Sequence, residues 1–139
     1  MSVTSTLHLN FRGDARAALG FYHSVFGGDI VLARYGDVPA GQGPDQAEQL
    51  AWGQVSAPNG VRIMAYDVQD GLPWNPGENA FYVSLSGSDR AEITGYWTAL
   101  AEGGTIVEPL GPAVFAPLYG KVVDRFGITW IVDVTPAAG

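Results

Sequence analysis

Two tandem βαβββ modules, an α+β fold whose sheets pair into a cup-shaped mixed β-sheet, are what this sequence predicts, on three observations. First, one pattern occurs twice: Asp14 is followed seven residues on by Phe21-Tyr22, then Gly27-Gly28 and Ile30-Val31, and Asp89 is followed seven on by Tyr96-Trp97, then Gly103-Gly104 and Ile106-Val107. Second, each half closes on a glycine-led apolar run ending in Asp-Val, Gly60 to Asp67-Val68 and Gly127 to Asp133-Val134. Third, the apolar period within each half is two, then a helical stripe, then two again. A β-α-β-β-β half cannot cover its apolar sheet face alone, so the two halves are expected to share one cavity.

In the first strand Val3, Ser5, Leu7, Leu9 and Phe11 alternate with Thr4, Thr6, His8 and Asn10, so its two faces see different surroundings. Gly13-Asp14 ends it, and Asp14 is placed to N-cap a helix to about Phe26 with Ala15, Ala18, Leu19, Tyr22, Val25 and Phe26 as its apolar stripe. Gly27-Gly28 stops that helix. Strands are expected at Ile30 to Tyr35, Leu50 to Ser56 and Val61 to Asp67, the last two joined by the turn Pro58-Asn59-Gly60. The second half repeats the order: a strand at Ala80 to Leu85, a helix from Ser88 or Asp89 to Ala101, and strands near Thr105, Gly120 and Ile128. Asp89 with Glu92 has capping-box spacing. The chain thus reads as one domain over 1–139, with module one at 3–68, a Gly- and Pro-rich linker at 69–78 packed through Trp74, and module two at 79–136.

Composition excludes several functions. The chain has no cysteine, which removes thiolate catalysis, Cys-ligated zinc and iron–sulfur clusters. Fourteen acidic residues against seven basic, with no Lys/Arg cluster, argue against a nucleic-acid partner. There is no basic, apolar leader and no run of about 18 apolar residues, so no membrane association and a cytoplasmic location are expected.

Leu9-x-Phe11-x-Gly13, then Ala18-x-x-Phe21-Tyr22-x-x-x-Phe26-Gly27, then Gly120-Lys121-Val122-x-Asp124-x-Phe126-Gly127-x-x-Trp130 together resemble the PhnB-like branch of the glyoxalase / bleomycin-resistance / dioxygenase (vicinal oxygen chelate) superfamily. The resemblance spans nearly the whole chain and rests on scaffold residues. It implies paired βαβββ modules, a homodimer, and a cup that binds a small molecule. In metal-using members it also implies four divalent-ion ligands on the inner strands. Carried onto this sequence, those positions fall on Thr6, Met64, Ala80 and Ile131, which is not a ligand set, and a shift of two residues adds only His8 and Tyr82. Neither a metal nor any other cofactor is therefore expected. Members of this branch are often labelled methyltransferases acting on a ubiquinone precursor. The chain lacks a glycine-rich turn leading into a helix that would cradle a nucleoside cofactor, because Gly27-Gly28 and Gly103-Gly104 end helices.

Strand parity supplies the candidate site. With Leu7, Leu9, Phe11, Ile63 and Trp130 facing helices, Thr6, His8, Asn10, Arg62, Met64, Tyr66, Thr129, Ile131 and Asp133 face the cup. Phe81, Val83 and Leu85 are expected in the core, and Ala80, Tyr82 and Ser84 in the cup. Ligand-binding candidates are His8, Asn10, Trp52, Arg62, Met64, Tyr66, Tyr82, Ser84, Tyr119, Ile131 and Asp133, with Phe115 as a further aromatic. His8 and Tyr82 are the acid–base candidates, and a strand histidine held by Asn10 or Tyr82 is the competing reading of His8. A guanidinium in a cavity needs a carboxylate, which points Arg62 at Asp133. Asp67 and Asp124 sit at strand ends, where surface or turn-capping roles are expected. His23 is expected to be solvated. Val38 to Glu48 is a candidate lid, with Pro109 to Pro117 as its analogue. The first reading is a metal-independent small-molecule-binding protein; a divalent-metal lyase, isomerase or dioxygenase, and a metal-free acid–base enzyme, remain open beside it.

Overall fold

The computed structural model describes residues 3–38 and 45–136, and the expected lid at 38–48 lies mostly outside them. The chain divides into two compact units, Met1–Pro76 and Gly77–Gly139. Unit one runs β1 (Leu7–Phe11), α1 (Ala15–Phe26), β2 (Asp29–Arg34), a short 3-10 turn at Tyr35–Asp37, β3 (Leu50–Ser56) and β4 (Arg62–Asp67). Its sheet has the order β1-β4-β3-β2, with β1 parallel to β4 and the other pairs antiparallel. Unit two runs β5 (Val83–Gly87), α2 (Arg90–Ala101), β6 (Thr105–Ala113), β7 (Ala116–Val123) and β8 (Thr129–Val134), in the matching order β5-β8-β7-β6. The expected element order holds in both units.

Each helix covers one face of its sheet. In unit one Leu9, Ala18, Leu19, Tyr22, Val55 and Ile63 are buried between α1 and the sheet, each large side chain contributing about 1.5–3 kcal/mol. In unit two Ile93, Trp97, Leu100, Val122, Trp130 and Val132 do the same. The registers make the units residue-by-residue equivalents: Leu9↔Ala65↔Gly53 in one matches Leu85↔Val132↔Gly120 in the other. The glycine is required at both centres. A Cβ on Gly53 would stand 2.4 Å from Leu19 Cδ1, and one on Gly120 would stand 2.7 Å from Trp97 Cζ3.

Two buried carboxylates organise the turns. Asp67, 1 % exposed, accepts at Oδ1 from the amides of Gly13 (2.6 Å) and Ala15 (3.1 Å) and at Oδ2 from that of Leu50 (2.8 Å). Buried Tyr35 donates its hydroxyl to the Asp67 carbonyl at 2.7 Å. Asp124, 3 % exposed, accepts at Oδ1 from the amides of Phe126 and Ile128 and at Oδ2 from Trp130 Nε1. Neither is a surface residue. Asp124 caps its turn as expected, while Asp67 acts far beyond its own strand end.

Other expectations change. The Asp14 side chain makes no cap bond; the Asp67 carboxylate takes the amides of Gly13 and Ala15 on either side of it instead. Asp89, by contrast, caps α2 through the amides of Ala91 and Glu92. His23 is half-buried and its Nε2 donates to the Gly28 carbonyl at 2.9 Å, closing the end of α1. The fifth strand begins at Val83 rather than Ala80, since its partner β8 begins only at Thr129. Phe81 is consequently 50 % exposed and not a core residue. Pro109 to Pro117 is no loop: it forms the end of the β6–β7 hairpin around a turn at Val114-Phe115. Pro109 and Pro112 are tolerated because β6 is an edge strand, and Pro117 stands at the start of β7 beside the turn. The segment after β4 is tied to unit one, with Arg12 donating to the carbonyls of Val68, Gln69 and Leu72 and buried Gln46 bonding Val68 O and Asp70 N.

Three outcomes follow for stability. Asp67→Ala leaves several buried amides without acceptors and is expected to cost at least about 3 kcal/mol in chemical denaturation. Gly120→Ala should cost about 1–3 kcal/mol and exceed Gly53→Ala, because the ring of Trp97 cannot yield as the tip of Leu19 can. Burial, followed by the charges of Tyr66 and Asp67, holds the Tyr35 phenol above its ordinary 10.0. A raised folded value means stability is complete below pH 10.0 and is lost as pH rises through the folded value, so Tyr35→Phe should flatten the alkaline fall in Tm.

Candidate ligand-binding site

The sheet face opposite each helix carries most of the candidate residues. In unit one the register aligns His8, Met64, Gln54 and Val31 in one row across β1, β4, β3 and β2, with Asn10 beside Tyr66 and Trp52 beside Ala33 in the next. His8 Nδ1 lies 3.0 Å from Asn10 Oδ1. An amide oxygen only accepts, so the neutral ring carries its proton on Nδ1 and presents Nε2 as an acceptor. Tyr66 meets the imidazole edge-on, with ring centroids 5.4 Å apart. Trp74 Nε1 donates to the Asn10 carbonyl at 3.1 Å, which seats the indole against β1. Gln54 donates to Ser56 Oγ at 2.6 Å.

In unit two the corresponding rows are Ser84, Ile131, Lys121 and Glu108, and Ser86, Asp133, Tyr119 and Gly111. Asp133 Oδ1 is shielded from solvent and has no hydrogen-bond partner among the described residues. Lys121 Nζ stands 5.0 Å from the centroid of the Tyr82 ring. Tyr82 donates to Asn79 Oδ1 at 3.0 Å, and Phe115 meets Tyr119 edge-on at 5.0 Å.

Parity thus places His8, Asn10, Trp52, Arg62, Met64 and Tyr66 on the helix-free face of unit one, and Ser84, Tyr119, Ile131 and Asp133 on that of unit two. Tyr82 precedes β5 and does not belong to its face. Arg62 is exposed, so its guanidinium keeps its water and the desolvation argument for it fails. Arg62 and Asp133 belong to different units. Gln54, Ser86 and Lys121 were missed, although the alternation that places Tyr119 also places Lys121 two residues on.

The metal positions implied by the resemblance hold a thioether at Met64, an alkyl group at Ile131, and Thr6 and Ala80, which both stand outside any strand because β1 begins only at Leu7 and β5 at Val83. These donors do not fit a divalent ion. His8 has Asn10 and Tyr66 as neighbours rather than a carboxylate, and among the described residues no three His, Asp or Glu side chains are grouped to hold a metal. No helix among the described residues is long and apolar enough to cross a membrane.

A family model described as 3-demethylubiquinone-9 3-methyltransferase matches residues 3–133. The chain belongs to this family. Solved structures related to it share the architecture. Protein PA1353 from Pseudomonas aeruginosa is 30% identical, with 96% of this chain and 98% of that one covered and a TM-score of 0.86. The putative 3-demethylubiquinone-9 3-methyltransferase, PhnB protein, from Bacillus cereus is 26% identical over 96% of this chain and 100% of that one, at a TM-score of 0.73. A glyoxylase/bleomycin resistance protein/dioxygenase domain from Frankia sp. EAN1pec, 16% identical, covers 98% of this chain and 99% of its own length at a TM-score of 0.64. That likeness shows the fold, which is the glyoxalase/bleomycin-resistance fold that the resemblance implied.

The contact between His8 and Asn10 sets a tautomer. Two-dimensional 15N NMR above the imidazole pKa should find the Nδ1–H form dominant in the family member described here, and Asn10→Ala should shift the population toward the Nε2–H form that free imidazole prefers.

Proposed function

We propose that this protein binds a small organic ligand without a metal, on the helix-free faces of its sheets, as a homodimer. The observation that carries this reading is the character of those faces: aromatic rings and single polar groups from His8, Asn10, Trp52, Tyr66, Tyr119 and Asp133, with no donor set for a divalent ion. Binding surfaces for small molecules combine apolar walls with a few placed polar groups. The homodimer is supported by edge strands β2 and β6, which leave Val31, Ile106 and Val107 about half exposed. In the neutral ring His8 supplies an acceptor at Nε2, and the Tyr66 phenol lies beside it, so this pair is where a ligand hydroxyl or amide would be held.

The family description names a methyltransferase, and that match favours methyl transfer as a second reading. A nucleoside-bearing methyl donor is ordinarily held by a glycine-rich turn that leads into a helix. Here Gly27 and Gly103, with φ of 75° and 76°, follow the ends of helices. Binding without methyl transfer is therefore the reading preferred.

Elemental analysis of untagged protein, with thermal-shift titrations of zinc, nickel, manganese and iron(II), should find no bound metal and no saturating stabilisation. One metal per chain, or a saturating rise in Tm, would replace this reading with the metal-dependent lyase, isomerase or dioxygenase. Calorimetry with S-adenosylmethionine should show no binding, and micromolar affinity would establish the methyltransferase reading instead. Sedimentation at micromolar concentration should return a dimer.

A further inference from the structure

We infer that the helix-free face of unit two takes the positively charged nitrogen of an amine or guanidine ligand, anchored by Asp133. The inference rests on the ligand-binding reading above and names the chemistry of the ligand. Asp133 lies in β8, flanked in register by Ser86 on β5 and Tyr119 on β7. Its Oδ1 is out of reach of water and accepts no hydrogen bond among the described residues.

This chain does not otherwise bury acid that way. Both oxygens of Asp67 and of Asp124 are met by N–H donors. A shielded carboxylate oxygen without a donor is destabilising, and a group kept in that condition is one whose partner comes from outside the fold. Asp133 as a residue is only half-buried, so the site borders solvent although Oδ1 itself is shielded, and a ligand reaches that oxygen by a small turn of the carboxylate.

The missing donor is best a cation. Hydrogen bonds between two charged groups are roughly twice as strong as neutral ones, and the advantage grows where water is excluded. Lys121, one strand over and two residues along from Tyr119, points instead at the Tyr82 ring and makes no ion pair with Asp133 among the described residues. Tyr119, in register with Asp133 and in edge contact with Phe115, offers a π surface on which an ammonium or guanidinium is held further. The net charge of −7 draws cations and repels carboxylates and phosphates. The face therefore selects against anionic ligands as well as for cationic ones.

The test uses the full chain and four matched probes: phenethylamine, benzylguanidine, neutral 2-phenylethanol and anionic 3-phenylpropionate, titrated by 1H–15N NMR into wild type and Asp133→Asn, with Tm measured for both proteins alone. The amine and the guanidine are expected to bind about tenfold more tightly than the neutral and anionic probes, shifting Ser86, Tyr119 and Asp133. Asp133→Asn should erase that preference and raise Tm, because it removes a charge that has no partner. Equal binding of phenethylamine and 2-phenylethanol, retention of the preference in Asp133→Asn, or a lower Tm for that variant would each overturn the inference. Binding of the probes to the helix-free faces without preference for charge would leave the ligand-binding reading standing while this inference fails. No shift on either face with any of the four probes would count against both.

Discussion

The carboxylate of Asp67 is the constraint on which unit one depends. It is buried at the end of β4 and gathers the amides of Gly13, Ala15 and Leu50, so the exit of β1, the first turn of α1 and the start of β3 converge on one side chain. A carboxylate withdrawn from water persists only where donors replace its hydration, and backbone amides do so at fixed positions. The side chain faces the helix, which fixes the parity of β4 and turns Tyr66 and Met64 to the opposite face. A slip of one residue would strand the carboxylate and bury the tyrosine hydroxyl. Thus the same bond set that closes the core also orients the residues of the helix-free face.

Unit two repeats the architecture with a different hub. Asp124 holds the turn between β7 and β8 and the indole of Trp130, while the position equivalent to Asp67 is occupied by Val134. On the helix side the two units are near copies, down to the glycine under each helix. On the other side they have parted. His8 corresponds to Ser84, Asn10 to Ser86, Tyr66 to Asp133 and Gln54 to Lys121. Packing constrains the helix side tightly, because a methyl group at Gly120 already collides with Trp97; nothing comparable constrains the open faces, which are free to carry different chemistry.

Much of this was legible in the sequence, because strand alternation and helix stops are local signals. The apolar period placed β2, β3, β4 and both helices within a residue or two, began β1 four residues early at Val3 where no partner strand runs, and put His8, Met64 and Ile131 on the helix-free face. Three readings failed for a non-local reason. The Asp-Val echo looked like one repeated position, yet Asp67 pairs with Phe11 and Asp133 with Ser86, one register step apart, and they face opposite ways. Parity carried from Ile63 through Ala65 would have pointed Asp67 at the helix. Alternation continued through Ala80 and Phe81, but no partner strand runs alongside them. The prolines of Pro109 to Pro117 resembled a loop, since sequence does not announce that β6 is an edge. Which groups go unsatisfied is also invisible until every donor is placed, so the condition of Asp133 Oδ1 emerges only from the folded chain.

The helix-free face of unit one is a consequence of the Asp67 lock, and site-resolved amide hydrogen exchange tests this most directly. In the wild type Gly13, Ala15 and Leu50 should exchange as slowly as the ladder amides of β4. In Asp67→Ala, which removes both acceptor oxygens, all three should accelerate together, with β1 and the His8–Tyr66 contact loosening in step. Acceleration confined to one of the three, or an undisturbed β1, would contradict the claim that one buried carboxylate holds both the core and the site.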